Sequence, residues 1–151
     1  MTSKNSINHK FIGNWNLISM FSQAEDKSKI FPNSNQVNGL LIYTNDGIIS
    51  AQLGNANRIK FKNQDFRKGN DFEINQAFNG YISYFGNYSI NHEKEYIVHD
   101  IKMSLFPNWI NTKVKRYYEF DEDILTLKAT PILYDNVLRT PTLIWQKIRS
   151  K

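Results

Sequence analysis

The sequence predicts an all-β protein: an eight-stranded antiparallel up-and-down barrel with one helix inserted between the third and fourth strands. Three observations predict it. Eight segments alternate apolar and polar residues with period two, as strands with one buried face do. Short turns join most neighbours, which makes them antiparallel. A single sheet of this size hides its edges most cheaply by closing on itself. The interior of such a barrel holds either its own side chains or one small ligand.

Phe11 to Phe21 reads as the first strand, with Trp15 and Leu17 on its inner face, and the polar residues 1–10 before it as a disordered lead. The barrel domain is therefore expected over 11–148. A loop with Phe31-Pro32 and several asparagines precedes the strand Val37 to Thr44. Asn45-Asp46-Gly47 is the strongest hairpin signal, because asparagine and glycine tolerate positive φ, and Ile48 to Leu53 is the returning strand. Residues 55–70 are polar and basic and lead into the helix. Asn70 caps it, Glu73 completes a capping box, and Ile74, Ala77/Phe78, Tyr81/Ile82 and Phe85 recur at helical spacing. Gly80 costs about 1 kcal/mol relative to alanine inside a helix, so it marks either close packing or an early end. Strands at about 87–92, 95–106, 111–121, 123–130 and 139–148 complete the set.

With 151 residues and 40% hydrophobic content, the chain supports one core and one domain. It has no cysteine, so disulfides, thiolate zinc sites and cysteine nucleophiles are excluded. No apolar leader or run of about 18 apolar residues is present, so neither export nor membrane insertion is expected and the predicted location is cytoplasmic. The net charge of +5 is spread as pairs interleaved with acids rather than gathered in runs, which disfavours nucleic acid as partner. Oligomeric state is left at monomer or homodimer.

Four blocks carry a family resemblance. Gly13-Asn14-Trp15 looks like the Gly-x-Trp opening of lipocalins. Gly39 to Gly47 with Ser50-Ala51-Gln52, then Phe78 to Gly86, then Ser104 to Trp109, resemble in the same order the bacterial and fungal lipocalin-like domain family. The resemblance spans roughly 11–148. It implies a calycin-like barrel with a helix between strands three and four, and it brings no single function with it.

The candidate site residues come from alternation along the strands. On 95–106, Ile97, His99, Ile101, Met103 and Leu105 share one face, so a histidine stands among apolar residues, while Asp100 points the other way. His99 is either a core histidine with both nitrogens satisfied or a ligand-contacting, proton-handling group. On the next strand Arg116 stands with Val114, Tyr118 and Phe120. It either joins His99 in a polar cavity floor or packs on Trp15 or Trp145 as a cation–π contact. Tyr81 and Tyr84 on the helix, with Tyr43, Gln52 and Tyr88 on strands near it, are either packing residues or ligand-orienting ones. Trp109 belongs at a barrel rim, as gate or plug. No nucleophile elbow, phosphate loop, dinucleotide fingerprint or metal-ligand spacing occurs, so no cofactor or metal is expected. The expected function is binding of a small, largely hydrophobic molecule, with a basic floor suited to a carboxylate, enol or phenolate. The alternative is a cyclase or isomerase acting in the same cavity.

Overall fold

A computed structural model describes residues 4–150. Its long strands are β1 (Gly13–Ala24), β3 (Val37–Tyr43), β4 (Ile48–Asn55), β5 (Tyr81–Asn91), β6 (Tyr96–Ser104), β7 (Lys113–Asp121), β8 (Ile124–Lys128) and β10 (Val137–Lys147). They pair antiparallel in that order, and β10 returns to β1 with Leu17 opposite Trp145. The barrel is closed. Two short strands, β2 (Lys29–Ile30) on β1 and β9 (Ile132–Tyr134) on β10, extend the wall at one end. The helix α2 (Asp71–Asn79) falls between β4 and β5, the expected place.

A helix, α1 (Lys4–Phe11), stands where a disordered lead and the first strand residue were expected. Its last residue shows why it docks. Phe11 is fully buried and meets Tyr43, Tyr118 and Phe120 edge-on, with centroids 5.5, 4.9 and 4.8 Å away. The Phe11 carbonyl accepts the indole N–H of Trp15 at 2.8 Å. Edge-to-face geometry sets the positive ring edge against a negative ring face, which adds to the gain from burial. This aromatic cluster plugs one end of the barrel.

The helix α2 ends earlier than its apolar spacing suggested. Gly80 caps it, and Tyr81 and Tyr84, expected on the helix, lie on β5. The run Ile82, Tyr84, Gly86, Tyr88 fits period two, and its backbone pairs with β4 from Tyr81 and with β6 from Tyr84, so tertiary pairing overrides the local helical period. The helix also does not bury its apolar residues: Phe72, Ile74 and Phe78 are exposed and only Glu73 is buried. Polar contacts anchor it instead. Asn70 Oδ1 accepts from the Glu73 N–H, while the Glu73 carboxylate accepts from the N–H groups of Asn70 (3.2 Å) and Lys62 (2.8 Å). Glu73→Ala is expected to cost about 1 kcal/mol. Because the contacts are local, the loss should show as faster amide exchange in residues 62–79 with little change in the global unfolding midpoint.

A bulge re-aims the end of β6. Between Ile101 and Met103 the register against β5 slips by one residue. An extra residue moves every later side chain to the opposite face. Met103 and Leu105, expected inside with Ile101, are therefore exposed, and Ser104 turns inward. The same irregularity brings the two backbones together at Gly86. A Cβ there would lie 1.9 Å from the Asp100 carbonyl oxygen, so only glycine fits.

Candidate ligand cavity

Inward side chains from β1, β4, β5, β7 and β10 leave a cavity of about 540 Å³ at the end of the barrel opposite the plug. Its walls are mainly apolar, with Met20, Leu53, Ile82, Val114 and Leu143 among them. Ile30 and Ile132, from the two short strands, stand at its mouth with Pro32 and Pro141. Ser22 and Thr130 add small hydroxyls to the lining, and Tyr84 and the half-buried Arg116 stand together on one wall. Trp109, in a 3-10 turn over Pro107–Trp109, lies beside them and meets Tyr84 edge-on at 5.9 Å. A space of this size, apolar with few convergent polar groups, is what a small-molecule site requires.

His99 sits directly behind that wall and is 1% exposed. Both ring nitrogens are engaged, Nε2 with the Tyr43 hydroxyl at 2.7 Å and Nδ1 with the Tyr84 hydroxyl at 2.9 Å. Burial, and next to it the positive charge of Arg116, push its pKa down to about 3. The imidazole is therefore neutral across the physiological range. Burial likewise raises the pKa of Tyr43 and Tyr84, with Arg116 opposing the rise at both. At Tyr84 the nearby guanidinium favours the ionised hydroxyl and so counters part of the effect of burial. Arg116 Nη1 also donates to the Lys115 carbonyl at 2.9 Å, which holds the side chain in place. The result is a chain of polar groups running from the cavity wall to the plug: Arg116, Tyr84, His99, Tyr43.

The structure brings together some of the expected site residues and separates others. Arg116, Tyr84 and Trp109 line the cavity, and His99 and Tyr43 stand behind it. The cation over Trp15 is Lys147, with Nζ 4.5 Å from the ring, so Arg116 does not serve there. Asp100 points outward and pairs with Lys102 at 3.2 Å, as alternation required. Tyr88 faces the plugged end, stacks edge-on with Tyr43 at 4.9 Å, and donates to the Thr44 carbonyl at 2.6 Å. Gln52 and Tyr81 are on the outer wall, where the Tyr81 hydroxyl donates to Gln52 Oε1 at 2.8 Å. Gln52 alternates with the buried Ala51 and Leu53, and that alternation could have placed it outside from sequence. The aliphatic lining from Met20, Leu53, Ile82 and Leu143 carried no distinguishing signal, because an inward leucine reads the same whether it packs in a core or lines a cavity.

The described residues include no group of three or more His, Asp or Glu side chains placed to hold a metal ion. Among the described residues no helix is long and apolar enough to cross a membrane.

Comparison with known proteins agrees with this geometry. The chain is similar to the 4'-hydroxy-3'-methoxypropiophenone carrier protein ppsC of Aspergillus oryzae, with 27% identity over 107 residues, covering 66% of this chain and 96% of that protein. The model of the lipocalin-like domain matches residues 12–148, the whole closed barrel from β1 to the end of β10. With that match and the closed antiparallel barrel around an apolar cavity, the chain belongs to the lipocalin-like domain family.

Proposed function

We propose that the protein is a carrier that holds one small, largely apolar molecule in the barrel cavity, with a single polar end of the ligand against Arg116 and Tyr84. The observation that carries this reading is the placement of Arg116 and Tyr84 side by side on the wall of a mainly apolar space of about 540 Å³. Apolar walls supply affinity through burial, and a few fixed polar groups supply orientation. The ligand for which the similar carrier is named, an aryl ketone with hydroxyl and methoxy groups, likewise joins an apolar body to a few polar groups. An isomerase or cyclase in the same cavity would need a group that moves protons near neutral pH. His99, neutral and engaged at both nitrogens, serves instead to hold two tyrosines in position.

The test is titration calorimetry and tryptophan fluorescence with 4'-hydroxy-3'-methoxypropiophenone. Binding is expected with one site per chain and a change in Trp109 emission, because that indole borders the cavity. Arg116→Met keeps the length of the side chain and removes its charge. It is expected to weaken binding about tenfold, the scale of one hydrogen bond to a charged group. Unchanged affinity in that variant would remove Arg116 from the site. Binding that survives a Leu53→Trp substitution, which fills the cavity, would remove the cavity itself.

A further inference from the structure

The hydrogen bonds of the buried chain can be satisfied in only one direction, and that direction sets what the cavity recognises. Tyr43 is fully buried, and among the described residues the His99 Nε2 is the one hydrogen-bond partner of its hydroxyl. A buried hydroxyl hydrogen without an acceptor is costly, so Tyr43 donates and Nε2 accepts. A neutral imidazole carries one proton, which must then be on Nδ1. Nδ1–H faces the Tyr84 hydroxyl at 2.9 Å, so the Tyr84 oxygen accepts from histidine. The positive guanidinium of Arg116 lies close to the same oxygen. The hydrogen of Tyr84 is left over, and beside Arg116 this side chain borders the cavity.

We infer that Tyr43 and His99 together turn the Tyr84 hydroxyl into a hydrogen-bond donor aimed into the cavity, and that Tyr84 and Arg116 form a corner of donors selecting ligands with an acceptor oxygen: a ketone carbonyl, a carboxylate or a phenolate. This deepens the carrier reading and rests on it. Both groups present donors to the cavity, so a ligand that places a methylene there leaves them unpaired, and such sites reject analogues that lack the matching acceptor. His99 is a positioning residue here, because it never reaches the ligand. In the opposite direction, with the proton on Nε2, Tyr84 would donate to histidine and the Tyr43 hydrogen would have no acceptor.

Two measurements test the inference, one of them without ligand. Long-range proton–nitrogen correlation on uniformly 15N-labelled protein reads the tautomer directly. A protonated Nδ1 and a bare Nε2 are expected, and a protonated Nε2 overturns the inference whatever binds. The second measurement compares 4'-hydroxy-3'-methoxypropiophenone with the same ring carrying a propyl group, in which a methylene replaces the carbonyl. Wild type is expected to prefer the ketone about tenfold, and Tyr84→Phe to reduce that preference to about twofold. Because Tyr84→Phe could also perturb packing, Arg116→Met provides a second variant expected to shrink the preference in the same direction. Equal binding of the two compounds by wild type, or an undiminished preference in both variants, overturns the acceptor selection. If neither compound binds wild type, the carrier reading fails for this ligand class, and the tautomer still decides the direction of the hydrogen bonds independently.

Discussion

Phe11→Ala is expected to lower the unfolding free energy by about 3–5 kcal/mol, the range for deleting a fully buried phenylalanine ring. The physical reason is the number of rings that lose a partner at once. Tyr43, Tyr118 and Phe120 all place an edge or face against Phe11, and the Phe11 carbonyl holds the Trp15 indole. Those neighbours project from different strands of a closed barrel, so they cannot collapse into the void without moving the wall. The cost therefore includes the cavity as well as the lost transfer energy. Urea unfolding followed by tryptophan emission measures it. A loss below about 1 kcal/mol would mean that α1 merely rests on the barrel and that the plug is made by the strands alone.

Acidification is expected to weaken the fold through His99. Its pKa is near 3 in the folded protein and near 6.5 when the chain is unfolded. Between those values the unfolded chain binds a proton that the native state excludes. Stability from this group is thus complete above about pH 6.5 and is lost progressively as the pH falls toward 3. By pH 5 the loss is about 2 kcal/mol, and by pH 3 roughly 4–5 kcal/mol, an upper figure for a single group. Denaturant titrations at pH 7 and pH 5 measure the difference, and His99→Gln isolates the part that belongs to this side chain. The His99 ring proton signals give a second readout that needs no variant: they should not shift between pH 7 and pH 5. A shift in that interval would show the histidine accepting a proton while the protein is still folded. It would also break the bond that Tyr43 donates, because Nε2 could no longer accept.

Much of the barrel was legible in the sequence because alternation is a property of the chain itself. A strand with one wet face and one dry face must alternate, and Trp15, Leu17, Ile97, His99 and Ile101 all lie on the dry side. The hairpin at Asn45-Asp46-Gly47 was legible for the same kind of reason. Gly47 has φ of 91° and its N–H bonds the Thr44 carbonyl, a conformation that favours glycine. The capping box of α2 was equally local. What alternation could not show was where it would be interrupted. The bulge after Ile101 leaves no mark in the residue pattern, yet it moves Met103 out and Ser104 in. Tyr81 to Phe85 satisfied a helical period and a strand period together, and only pairing with β4 and β6 decided between them.

The site divides in the same way. His99 and Arg116 stood out because a polar side chain on an apolar face demands a partner, and that demand is written in the sequence. Which partners answer it is not. Tyr43 and Tyr84 are 56 and 15 residues from His99 along the chain and reach it because closure of the barrel brings β3 and β5 to the same depth as β6. Gln52 and Tyr81 looked equivalent to them by residue type and lie on the other side of the wall. Sequence by itself determined the barrel class, the inserted helix and the two polar intrusions, since each follows from forces between near neighbours and water. Tertiary structure alone decided the tyrosines that clasp the histidine, the helical plug and the shape of the cavity, because each depends on contacts that exist only after the barrel has closed.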